Sequence, residues 1–107
     1  LALVQVSMSA QAALRSNDIW CRYGGEEFIA LLPNTTLNQA MAVAERLRLS
    51  VESTRISSPQ GSLSVSVSIG VAARSPHHSS LADVLAFSDA ALYKAKTAGR
   101  NRVVADA

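Results

Sequence analysis

The chain has 107 residues, ten basic and eight acidic, for a formal charge of +2, and it is 49 % hydrophobic and 17 % charged. That size suits one domain with a single core; the balance excludes a disordered chain, and no apolar run reaches the roughly 18–20 residues of a membrane span. No block of like charge points to a nucleic-acid face, and the only cysteine, Cys21, excludes an internal disulfide and fits a buried thiol in a reducing cytoplasm.

The chain opens on LALVQVSMSA, without an initiator methionine, a charged n-region or a cleavage-type ending, so it does not read as a signal peptide and a preceding segment is expected. In residues 1–15, Val4, Val6, Met8 and Ala10 alternate as in a strand, while Leu3, Val6, Ala10, Ala13 and Leu14 follow helical spacing. The alanine-rich SAQAALR, followed by the turn residues Asn17 and Asp18, favours a helix. DIWCRY and EEFIALLP then form two strands around Gly24-Gly25, and Phe28 to Leu32 are apolar on both faces, as in a strand covered on two sides.

Thr36 with Gln39 makes a capping box, and Ala40, Val43, Ala44, Leu47 and Val51 form an apolar stripe on a helix to about Thr54. After the turn SSPQG, the segment SLSVSVSIGVAA alternates Leu63, Val65, Val67 and Ile69 with serines and predicts one strand, its serine face solvent-facing or closely packed. SPHHSS predicts a solvated loop, since adjacent histidines without carboxylate or cysteine company are poor metal candidates. Ser80 with Asp83 opens a second helix, with Leu81, Val84, Leu85 and Leu92 on its stripe and Gly99 at its end; NRVVA supplies a last strand. The predicted order is α-β-β-α-β-α-β, an α+β fold with helices against an antiparallel sheet.

RYGGEEF, residues 22–28, sets two glycines against two carboxylates. Alone it reads either as a charged hairpin, the commoner use of such residues, or as a turn that holds a phosphate and a metal ion. Taken together, RSNDIWCRYGGEEFIALLP, AERLR, SVSIGVA and DAALYKAKTAGRNRV resemble the GGDEF family of diguanylate cyclases in its GGEEF variant, in order and spacing, from about residue 1 to residue 105. The resemblance implies a nucleotide-cyclase-like α+β fold, an antiparallel-rich sheet flanked by helices, and condensation of two GTP molecules to cyclic di-GMP in cytoplasmic bacterial signalling. It makes Gly24 and Gly25 the backbone cradle for a triphosphate. Glu26 and Glu27 become ligands of Mg²⁺, with Glu26 also a candidate base for the 3′-hydroxyl. Lys96 and Arg100 match the family's basic pair on the terminal phosphates; outside that context they would be helix C-terminal cations facing the dipole.

Arg15 and Asp18 in RSND match the family's RxxD site, which binds product as a feedback signal, and Arg46 matches its secondary arginine. Arginine can fork onto guanine N7 and O6 while aspartate accepts from base N–H groups. A bland alternative makes Arg15 a helix-end cation and Asp18 a turn residue.

A full family domain carries a preceding helix, a strand with an aspartate metal ligand, and guanine contacts. The match begins just past them, so residues 1–107 are expected to be a partial domain, belonging to a longer protein with a sensory or regulatory segment upstream. In the family the first strand lies between the glycine hairpin and SLSVSVSIGV. Its absence is expected to be met by strand exchange in a homo-oligomer or by the chain's own Val4, Val6 and Met8 segment. Three readings follow: an enzyme fragment inert by itself, a module that binds cyclic di-GMP without making it, and a small nucleic-acid-binding domain. The last is disfavoured by the lack of an aromatic RNP-like strand or cationic stripe.

Overall fold

In a computed structural model, the structure describes residues 2–8, 20–22, 27–53, 55–58, 61–64, 66–76 and 78–106. Along the chain it forms β1 (Ala2–Met8), β2 (Trp20–Arg22), β3 (Glu27–Leu32), α1 (Leu37–Glu52), β4 (Arg55–Ser58), β5 (Gly61–Ser64), β6 (Val67–Ala73), α2 (Leu81–Thr97) and β7 (Val103–Ala105). The main sheet has the order β2-β3-β1-β6-β7, and β4 pairs with β5 in a separate ribbon. β1 is antiparallel to both β3 and β6, and β2 is antiparallel to β3. β6 and β7 are parallel, a pairing that the crossover through α2 permits, so the sheet is mixed and the expectation of an antiparallel sheet is not met.

Residues 2–8 form a strand, which corrects the helix predicted over 1–15 for that part. Ala2 to Ser7 pair with Leu32 to Glu27, and Ala2 to Met8 with Ala73 to Val67. A strand flanked on both sides finds partners for its backbone N–H and C=O groups along both edges, and this outweighs a few tenths of a kcal/mol of helix propensity per residue, about the scale of that preference. The position expected to stand empty for want of the family's first strand is filled by the chain's own N-terminal segment.

The single strand predicted over SLSVSVSIGVAA is two strands in different sheets: β5 turns back on β4, and only β6 enters the main sheet. Ser57, Ser58 and Gly61 of the predicted SSPQG turn belong to strands, the first two to β4 and the last to β5, and Pro59 and Gln60 lie outside the described residues.

Alternation along β3 and β6 divides the core. Phe28, Ala30 and Leu32 join Val67, Ile69 and Val71 against Ala40, Ala44, Leu47 and Val51 of α1. Ile29 and Leu31 join Ala72 on the other face, against Val84 and Leu85 of α2. Six consecutive residues of β6, Val67 to Ala72, are buried because helices cover both faces. Leu81, predicted on the buried stripe, is exposed at the first position of α2.

The helix starts are set locally. Thr36 Oγ1 accepts from the Gln39 N–H at 3.2 Å and Gln39 Oε1 accepts from the Thr36 N–H at 2.9 Å, the reciprocal capping box predicted. Ser80 caps α2 by accepting from the Asp83 N–H, while the Asp83 carboxylate turns to the Ser79 N–H and hydroxyl.

Candidate active site

With Phe28, Ala30 and Leu32 turned towards α1, the period of two along β3 puts Glu27 on the α2 side. Lys96 lies one helical turn beyond the buried Leu92, and its Nζ donates to Glu27 Oε1 at 3.2 Å. The two side chains are 28 % and 29 % exposed, so water and ligands reach the pair. A partly exposed ion pair of this kind contributes about 1 kcal/mol or less to stability. Around it is a small open cleft of about 100 Å³ lined by Glu27, Asp89, Leu92, Tyr93 and Lys96. Asp89 and Tyr93 escaped the sequence reading; their signal was the spacing 89, 93, 96, one helix face that includes Lys96.

α2 ends in a Schellman turn. The Arg100 N–H donates to Ala95 O at 2.9 Å and the Gly99 N–H to Lys96 O at 3.4 Å, with Gly99 at φ 126°. The left-handed backbone then continues through Arg100 (φ 64°) and Asn101 (φ 46°). Arg100 is exposed just past the end of the helix that carries Lys96. Arg46 is exposed on α1, which covers the opposite face of the sheet from α2. Arg15, Asp18, Gly24, Gly25 and Glu26 lie outside the described residues.

A second polar group joins α1 to the turn after α2. Arg48 forks onto Glu45 through Nε and Nη2, its Nη1 lies 3.4 Å from Glu52 Oε2, and the same Nη1 donates to Asn101 Oδ1 at 3.2 Å. Asn101 Nδ2 donates to Glu52 Oε2, and the Asn101 N–H donates to the buried Ser68 hydroxyl at 3.2 Å. The Arg48 hydrogen bond holds the Glu45 carboxyl below its usual range and is itself strengthened by charge, so the guanidinium is held above its own. Arg48 and Asn101 passed unnoticed in the sequence, half a chain apart. Ser68 shows that the serine face of β6 is packed.

His78 corrects the predicted solvated loop. It is buried; its Nδ1 accepts from the Ser75 N–H at 3.0 Å and its Nε2 lies 3.4 Å from Asp106 Oδ2. Its ring stands edge-on to Phe87, with centroids 4.8 Å apart at 75°. The histidine therefore fastens the loop before α2 to the segment after β7.

Among the described residues no three His, Cys, Asp or Glu side chains gather into a metal-binding group, and no helix is long and apolar enough to cross a membrane. A Mg²⁺ ion needs less than such a group, since it commonly keeps several waters and takes one or two carboxylates together with substrate phosphates. Glu27, a hard oxygen donor in an open cleft beside a cation suited to phosphate, fits that donor set.

The family profile described as diguanylate cyclase, GGDEF domain, matches residues 1–102. The chain is 42 % identical over 103 residues to diguanylate cyclase A of Treponema denticola, covering 96 % of this chain and 28 % of that protein. It is 36 % identical over 107 residues to the response regulator PleD of Caulobacter vibrioides, covering 98 % and 24 %. Among solved structures, the active GGEEF domain of a diguanylate cyclase from Vibrio cholerae matches with a TM-score of 0.86 at 25 % identity, over 99 % of this chain and 82 % of that one. The GGDEF domain of DgcB from Caulobacter crescentus, in complex with c-di-GMP, matches with 0.83 at 25 % identity, over 98 % and 77 %. The chain belongs to the GGDEF diguanylate cyclase family. It spans about a quarter of the length of the curated relatives it matches.

Proposed function

We propose that this domain serves cyclic di-GMP signalling as the phosphate- and metal-binding arm of a diguanylate cyclase site. The observation that carries the reading is the Glu27–Lys96 pair, a carboxylate and an ammonium 3.2 Å apart in an open cleft between β3 and α2. Lys96 leaves Glu27 to meet the terminal phosphates of GTP, where a charge-assisted hydrogen bond offsets the charge of the transferring group. Arg100 adds a second, forked donor. Glu27 and Glu26 would hold Mg²⁺ through their carboxylates, and Gly24 and Gly25 would let backbone amides approach the phosphates. Bound Mg²⁺ supplies charge neutralisation and polarises the phosphoryl oxygens. The protein's share in such a transfer is placement and electrostatics. Joining two GTP molecules head to tail brings two such sites together, so the working form is a homo-oligomer.

Strand β1, next to Glu27 in the sheet, contains neither aspartate nor glutamate; the register partner of Glu27 is Ser7. Incubation of the 107-residue chain with GTP and Mg²⁺, followed by nucleotide chromatography and an equilibrium GTP-binding assay, is therefore expected to show saturable GTP binding and no cyclic di-GMP above background. Absence of GTP binding contradicts the reading; turnover would show that the glutamates suffice as metal ligands.

The solved DgcB domain in complex with c-di-GMP prompts a second reading, in which the chain binds this dinucleotide and the binding, with or without synthesis, is its role. That role would draw on Arg15, Asp18 and Arg46. Calorimetric titration with cyclic di-GMP tests it: Arg15→Ala should weaken binding by about 1–3 kcal/mol if the arginine forks onto guanine, and equal affinities would retire the idea.

A further inference from the structure

We propose that Arg48 and Glu52 of α1 are positioning residues for Arg100: through Asn101 they hold the turn after α2 in the left-handed conformation that presents the Arg100 guanidinium to phosphate. The inference rests on the phosphate role of Arg100 proposed above. Of the three consecutive residues with positive φ, Gly99 adopts that backbone freely and Asn101 at 46° tolerates it, whereas Arg100 at 64° carries a side chain that disfavours it. Such a conformation persists where surrounding contacts over-determine it, and it concentrates at functional sites.

Some of those contacts belong to the turn itself and the others come from outside it. The helix end fixes the Arg100 N–H through Ala95 O, and Arg102 Nε donates back to Arg100 O at 3.0 Å. Asn101 is held at three points: its N–H by Ser68 of β6, its Oδ1 by Arg48 and its Nδ2 by Glu52. The Arg48 side chain is only 16 % exposed and is committed to Glu45, Glu52 and Asn101, so it orients a neighbour and is not itself a free cation for a ligand. The peptide of Arg100 is thus pinned on both sides while its side chain stays exposed. A side chain carried on a fixed backbone loses less freedom when its guanidinium closes on a phosphate.

Two measurements on the purified chain decide this: amide hydrogen exchange at Asn101, and calorimetric affinity for GTP with Mg²⁺. Arg48→Met keeps the aliphatic stem and removes the donors, and it is expected to speed Asn101 exchange about tenfold and to weaken GTP binding, to which Arg48 contributes only indirectly, roughly three- to tenfold, the scale of one ordinary net hydrogen bond. The double variant Arg48→Met/Arg100→Ala should bind GTP no more weakly than Arg100→Ala alone. If Arg48→Met does not fold, Glu52→Ala, at an exposed carboxylate, is expected to give the same pattern. Unchanged Asn101 exchange in a folded variant, or losses that simply add in the double variant, would overturn the positioning role while leaving Arg100 its phosphate contact. GTP binding by Arg100→Ala equal to that of the parent chain would instead strike the functional reading of Arg100, and the positioning role with it.

Discussion

Gly70 and Leu92 meet backbone to backbone: a β-carbon on Gly70 would lie 2.3 Å from the Leu92 nitrogen and 2.8 Å from its Cα, with the Ser88 carbonyl oxygen also at 2.3 Å. The missing side chain is what lets α2 settle onto β6, and that seating sets the height of Lys96 above Glu27. None of the three obstructing atoms belongs to a flexible side chain, so the helix itself would have to lift. Gly70→Ala is expected to destabilise the domain by about 2–3 kcal/mol, as overpacking of a tight core does. Urea unfolding checks this, and a change within about 0.5 kcal/mol, the usual range for a surface site, would contradict the packing described.

His78 ties the loop before α2 to Asp106 after β7. His78→Ala removes the acceptor for the Ser75 N–H and the edge contact with Phe87. Thermal and urea melts should show a loss of about 1–3 kcal/mol, the cost of leaving a buried polar group unsatisfied. A melt indistinguishable from that of the parent chain would mean that the loop before α2 holds itself.

Acid should loosen the domain through two carboxylates. Arg48 beside Glu45, and the Ser79 hydroxyl and N–H beside Asp83, hold both below their ordinary values of 4.5 and 3.8. A carboxylate depressed in the folded state contributes stability that is complete above its ordinary value and is lost as pH falls through the lower folded one. Stability is therefore expected to be level from pH 7 to about 5 and to decline below about 4.5. Both groups are exposed enough that salt should blunt the effect. Melts of Glu45→Gln and Asp83→Asn should show a shallower acid limb than the parent chain; identical slopes would exclude these two groups as its source.

What could be read from the sequence was what neighbours in sequence decide. Thr36 with Gln39, Ser80 with Asp83, and Gly99 at a helix end each act within a few residues, and all three are found in place. The strand at Phe28–Leu32 was legible because its apolar run is covered on both faces. Residues 2–8 were not, since their pattern fits helix and strand alike and the decision lies with β3 and β6 on either side. The regular alternation of SLSVSVSIGVAA concealed the break after Ser64, where the chain changes sheets. His78 does lie in a loop, but its burial is not legible because its partners Phe87 and Asp106 come from elsewhere in the chain, as Asn101 does for Arg48. Lys96 and Glu27, by contrast, were both singled out by family resemblance, and the structure brings them together.

In the function proposed, the Glu27–Lys96 cleft exchanges its internal ion pair for a nucleotide phosphate and a divalent cation. Calorimetric titration of GTP, with and without Mg²⁺, into the parent chain, Lys96→Ala and Glu27→Gln tests it most directly. Lys96→Ala should lower affinity by about 1.5–3 kcal/mol, the worth of a hydrogen bond to a charged group. Glu27→Gln should leave GTP binding largely insensitive to Mg²⁺, because it removes the ligand charge at the mouth of β3. Equal affinity and equal Mg²⁺ dependence in all three proteins would contradict the account.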